Sequence, residues 1–250
     1  MTGDAFTFFT FTIATFVVRT MATSSVQPFG APPGLSAISS RFPKAPELSR
    51  VLSQSSRESR EALARLWMSE GAPYAFRSCP AVFEAIRLWL GQELDVHPKA
   101  VTLIGSARIG YSLAQPSFGR PFSPESDLDF CIVSEELFEL VYGDYRSFKA
   151  EFEAGALLPR NSNQARYWPE NIAFGDRNYP RGFLDPWKIP SISSFPICSR
   201  INNAMWLVKA RLDKTDAVPT IRKASGRVYR DWSSFVNVVS LNLLKAQPDA

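Results

Sequence analysis

The apolar run Ala100-Val-Thr-Leu-Ile104 stops at Gly105-Ser106, and a second one, Leu128-Asp-Phe-Cys-Ile-Val133, is entered through Ser126 and Asp127. Short β-branched runs of this kind, bounded by turn-forming residues, read as buried strands. A strand that ends in glycine can turn sharply, because glycine enters positive φ without a steric penalty. Asp127 and Asp129 stand two apart, so on a strand both carboxylates leave the same face. These two strands must be accommodated among segments whose apolar residues recur at helical spacing. The chain is therefore expected to be of mixed α/β (α+β) class.

The helical segments flank the strand pair. From Pro46 to Ser69 the apolar points Leu48, Val51, Leu52, Leu63, Leu66 and Trp67 alternate with the charged face Arg57, Glu58, Arg60 and Glu61. A second helix is expected from Pro80 to about Leu94, with proline near its first turn. Ser134-Glu-Glu signals a third helix start, serine as the cap and acids in the first turn. Residues 155–197 mix Pro, Gly, Asn, Arg and aromatic residues without a regular period and are expected to be an irregular insertion. Beyond it the pattern predicts a helix over Ile201–Leu212, a basic strand over Thr220–Tyr229 and a last helix over Trp232–Leu244. Residues 47–250 would form the domain.

Residues 1–46 read as an extension and linker, expected to be disordered. The apolar, threonine-rich run 5–18 follows Asp4 rather than a basic segment, which is unlike a secretory signal. It is shorter than the roughly 20 apolar residues a membrane span needs. Met21 offers an alternative start, and residues 22–46 are rich in Ser, Pro and Gly.

Composition removes several function classes. Cys79, Cys131 and Cys198 are three in number and widely spaced, which suits neither a zinc knuckle nor a disulfide framework. Reduced thiols in a cytoplasmic protein are the expectation, with no membrane partner. His97 is the only histidine and precedes Pro98. A lone imidazole outside any strand end leaves no HExxH metal site and makes a Ser-His-Asp triad a poor fit. The net charge of +4 favours anionic partners weakly.

The chemistry converges on Gly105, Ser106, Asp127 and Asp129. Ser106 and the N–H groups after it are placed to meet a phosphate, and two oxygen ligands on one strand face suit Mg²⁺. In this ordered pattern, hydrophobic-Gly-Ser and then Asp-hydrophobic-Asp, residues 100–140 resemble the nucleotidyltransferase superfamily. The resemblance implies a nucleotidyltransferase-like mixed sheet with flanking helices. It also implies a Mg²⁺-dependent transfer of NMP from an NTP to a hydroxyl acceptor, with release of pyrophosphate. Asp127 and Asp129 would be the catalytic metal ligands and Gly105 and Ser106 the nucleotide-binding residues. The acceptor is left open among small molecules, nucleotides, RNA and protein.

Two departures set the alternatives. The spacer between Gly105 and Asp127 is long and reads as an extra loop over the site. Active members usually carry a third carboxylate on a later strand. The basic strand expected here holds Arg222, Lys223 and Arg227 and no acid. A catalytically inactive nucleotide- or RNA-binding protein, or an antitoxin-like interaction protein, is the alternative on the same fold. Arg108 is read either as a phosphate contact or as an exposed helical arginine. The aromatic residues Tyr167, Trp168, Phe174, Tyr179, Phe183 and Trp187 are read either as base-stacking or as core.

Overall fold

Four strands form the sheet, in the order β1 (Val101–Ile104), β2 (Leu128–Val133), β4 (Ala224–Tyr229) and β3 (Phe183–Leu184). The computed structural model describes Leu35, Ile38 and residues 40–246, all within the unit Ala31–Ala250. The expectations for residues 1–20 and for most of the linker lie outside the described residues. β1 pairs antiparallel with β2, β2 parallel with β4, and β4 antiparallel with β3. The class is mixed α/β, as expected.

Alternation along the strands divides the core into two layers. Leu103, Leu128, Phe130, Ile132, Leu184 and Val228 point to one face. There they meet α3 (Pro80–Leu94), α5 (Glu135–Glu153), α6 (Ser162–Asn178) and α7 (Pro196–Leu212). Cys131, Val133, Phe183 and Tyr229 point to the other face, against α1 (Ala45–Ser53), α2 (Arg57–Trp67) and α8 (Trp232–Lys245). Gly226 sits mid-strand in β4 because α7 crosses close by. A Cβ there would lie 3.2 Å from Ile201 Cγ2 and 3.4 Å from Met205 Cγ.

Local chemistry explains the element ends. Ser134 accepts from the Leu137 N–H at 3.2 Å and starts α5, as its position before Glu135 and Glu136 predicts. Asp231 does the same for α8 through the Ser234 N–H at 2.6 Å. The expected single helix over Pro46–Ser69 is two. The chain breaks at Gln54–Ser56, where Ser56 caps α2 through the Ser59 N–H at 3.1 Å.

The stretch 155–197 is more regular than its composition indicates. It holds α6, a 17-residue helix capped by Asn161 and carrying Pro169 inside it. The helix survives its proline because burial against α5 holds it. Trp168 packs edge-on to Phe148 and Phe152, and the Tyr145 hydroxyl donates to the Ile172 carbonyl at 2.8 Å. Gly175 makes this approach possible, since a Cβ there would fall 2.2 Å from the Tyr145 ring. Tertiary packing overrides local propensity here.

Candidate functional site

The antiparallel register of β1 and β2 sets Ile104 opposite Asp129, so the residue after β1 arrives beside the acidic strand start. That residue is Gly105, with φ 68° and ψ −152°, a conformation that side chains rarely adopt. An added Cβ would lie 3.5 Å from Asp129 Oδ2. Ser106 opens α4 (Ser106–Ile109), a single turn. The structure thus brings together all four residues singled out from the sequence: Gly105, Ser106, Asp127 and Asp129 line one cleft of about 590 Å³.

Arg108 matches neither expectation for it. It is 2 % exposed and donates to three backbone carbonyls, that of Trp67 at the end of α2 and those of Glu70 and Gly71 in the bend that follows. The Trp67 carbonyl, at the last residue of α2, has no partner within the helix, and a cation there also meets the negative end of the helix dipole. Burial brings the Arg108 pKa down to about 10, which leaves it charged at neutral pH. Its task is to lock α4, and with it the Gly105-Ser106 turn, onto α2.

The spacer forms an ordered loop over the cleft. The Ser112 N–H donates to the Arg120 carbonyl at 2.8 Å, the Phe122 N–H to Gly110 at 2.8 Å, and Tyr111 bridges to Pro121. Ser112, Gln115, Ser117 and Arg120 from this loop line the cleft. Asn242 and Lys245 of α8 line the opposite part. Neither was visible in the sequence as a site residue. The apolar period of α8 marks Val239 and Leu243 as core, but not what their neighbours face.

Both carboxylates have partners. Arg222 forks onto Asp127, Nε to Oδ1 and Nη2 to Oδ2, each at 2.9 Å, and Lys223 Nζ lies 3.7 Å from Oδ2. The backbone fixes this meeting, because the Arg222 N–H donates to the Ser126 carbonyl at 3.0 Å and the Leu128 N–H to Lys223 at 2.9 Å. Ser225 lies directly opposite Asp129 in the parallel ladder, and its hydroxyl donates to Asp129 Oδ1 at 2.7 Å. Ser225 was missed because its role depends on register, which strand composition does not encode.

Asp127 and Asp129 are two of the carboxylates in the cleft that could hold a cation. Among the described residues no group of three or more His, Cys, Asp or Glu side chains converges. Mg²⁺ needs no such cage, since it is commonly bound by one or two carboxylates together with phosphates and water. Asp127 must release Arg222 to serve. Arg222 is 59 % exposed, and ion pairs so placed contribute little stability and open readily.

The other sequence candidates fall in different places. Trp168 and Phe183 are core, Tyr179 stacks on Tyr142 at 3.7 Å, and Tyr167 and Trp187 are exposed. His97 caps the turn Pro98–Ala100 through the Lys99 N–H at 3.1 Å, away from the cleft. The three cysteines are free thiols. Among the described residues no helix is long and apolar enough to cross a membrane. No protein-family model, curated protein or solved structure matches this chain.

Proposed function

We propose that the cleft is a nucleotide site of nucleotidyltransferase type, which binds a nucleoside triphosphate with Mg²⁺ and transfers NMP to a hydroxyl acceptor. The observation that carries this reading is the Gly105 turn standing against the Asp129 carboxylate, with Asp127 lining the same cleft. The charge of the lining supports a metal-borne nucleotide. Arg120, Arg222 and Lys245 line the cleft against Glu125, Asp127 and Asp129, so the lining is neutral as a whole. A bare triphosphate would face two carboxylates with no net attraction, whereas Mg²⁺ adds two positive charges between them.

When bound, the ion supplies neutralisation of the leaving pyrophosphate. The chain's own residues do the rest. Asp127 and Asp129 would hold the ion, and the Ser225 hydroxyl, which donates to Asp129 Oδ1, keeps that carboxylate turned. Gly105 lets the backbone approach a phosphate without a side chain in the way. Arg222, once released from Asp127, would be free to meet a phosphate oxygen, as would Arg120 and Lys245 of the same cleft. The three free thiols suit a reducing, cytoplasmic setting.

Ser225 also favours a second reading. It occupies the place opposite Asp129 on β4, and β4 reads Ala-Ser-Gly-Arg-Val-Tyr with no acid. Without an acid on β4, that strand offers no base for the acceptor hydroxyl. On this reading it binds a nucleotide without turning it over.

Thermal denaturation with each of four NTPs, with and without Mg²⁺, separates these readings when combined with a pyrophosphate-release assay. Mg²⁺-dependent stabilisation that disappears in Asp129→Ala, together with pyrophosphate release, is expected for the transferase. The same stabilisation without release marks the non-catalytic binder. No shift with any nucleotide would overturn both and direct attention to a protein partner.

A further inference from the structure

A second cavity, of about 660 Å³, lies on the α8 face of the sheet beside β3 and β4. Three arginines line it: Arg177 from the last turn of α6, Arg181 from the turn that follows, and Arg227 from β4. No acidic residue lines it. None of the three guanidinium groups forms an ion pair with a carboxylate among the described residues. Asp185 acts on Arg227 from beyond ion-pair distance.

Two of the arginines are held in place. The guanidinium carbons of Arg181 and Arg227 lie 5.6 and 5.4 Å from the centre of the same Phe183 ring. Arg181 Nη1 also donates to Asn178 Oδ1 at 3.1 Å. Gly182, at φ 73°, sets the turn. A Cβ there would fall 2.1 Å from Ser234 Oγ, so only glycine lets this turn sit against α8. Arg177 and Arg181 add two exposed positive charges beside the half-buried Arg227, and the cavity lining supplies no carboxylate to offset them. Arginine forks match the oxygen geometry of phosphate.

We propose that this cavity is an oxyanion site that takes a phosphate ester. Asn242 lines both this cavity and the Asp127/Asp129 cleft, which makes the phosphate that of the acceptor. The anion site stands on the arginines alone; its assignment to the acceptor rests on the transferase reading above. The acceptor class is thereby a phosphorylated molecule, such as a nucleotide, that presents its hydroxyl towards the cleft.

The test is isothermal titration of the full chain with inorganic phosphate, uridine 5′-monophosphate and uridine, in EDTA so that no metal-dependent site contributes. Phosphate and the monophosphate are expected to bind and uridine not. Arg177→Gln and Arg181→Gln, both exposed positions, should each weaken binding roughly tenfold or more, the loss of a hydrogen bond to a charged group. Their unliganded melting temperatures should stay close to that of the wild type. Tighter binding of the monophosphate than of inorganic phosphate identifies an ester as the ligand, and the reverse order overturns that class. Asp129→Ala should leave this binding intact while abolishing Mg²⁺-dependent NTP binding, so failure of one site is distinguishable from failure of the other. Unchanged affinity in an Arg177→Gln/Arg181→Gln double variant, or loss through Arg222→Gln instead, would overturn the proposal.

Discussion

Gly105→Ala is the sharpest probe of the turn that builds the cleft. At φ 68° and ψ −152° the residue occupies a region that is essentially reserved for glycine, where another residue costs about 1–3 kcal/mol. Steric contact adds little, because the new Cβ would meet only Asp129 Oδ2, at the ordinary distance of 3.5 Å. Backbone strain is thus the main folded-state effect. Alanine also restricts the unfolded chain, which returns about 0.4–1 kcal/mol. Gly143→Ala isolates that gain, since Gly143 is exposed within α5 with nothing within 4 Å of an added Cβ. Gly143→Ala should therefore raise stability by about 0.4–1 kcal/mol, while Gly105→Ala lowers it. At about 2–4 °C per kcal/mol for a domain of this size, the two melting temperatures should differ by roughly 2–12 °C. Differential scanning calorimetry of both variants reads that difference directly. Equal melting temperatures would refute the argument, because they would mean the turn relaxes to an ordinary conformation at no cost. Retention of full nucleotide binding by Gly105→Ala would separately refute the role given to its backbone.

Three other perturbations test the scaffold. Arg108→Lys keeps the charge, but one ammonium cannot reach the Trp67, Glu70 and Gly71 carbonyls together; urea unfolding should show a loss of about 1–3 kcal/mol, and a neutral result would remove the α2 anchor. Gly175→Ala raises helix propensity yet drives a methyl into the Tyr145 ring, so overpacking of about 1–3 kcal/mol should win and the melting temperature should fall. Burial pushes the Cys131 thiol up to about 12 and raises Cys198 still further, so the reactive thiolate is scarce at pH 8; iodoacetamide with mass spectrometry should label Cys79 first and the other two only on unfolding. Early labelling of Cys131 would contradict its place under α8.

What the sequence determined by itself was local. The strand runs ending at Gly105 and beginning at Leu128, the Ser134 cap and the period of the last helix all rest on forces acting over a few residues. Two-residue alternation alone marked Asp127 and Asp129 as a pair. The relation between distant segments was decided by tertiary structure. Register placed Ser225 opposite Asp129 and folded Arg222 onto Asp127, and a one-residue slip in β4 would have turned Arg227 to the other face. Arg108 looked like a surface or phosphate-binding residue until the carbonyls at the end of α2 and in the bend after it were brought against it. The helix α6 was hidden by Pro169 and by polar composition, because its stability comes from Tyr145, Phe148 and Phe152 on another helix. The three arginines of the second cavity come from a helix end, a turn and a strand, and only packing brings them to one cavity.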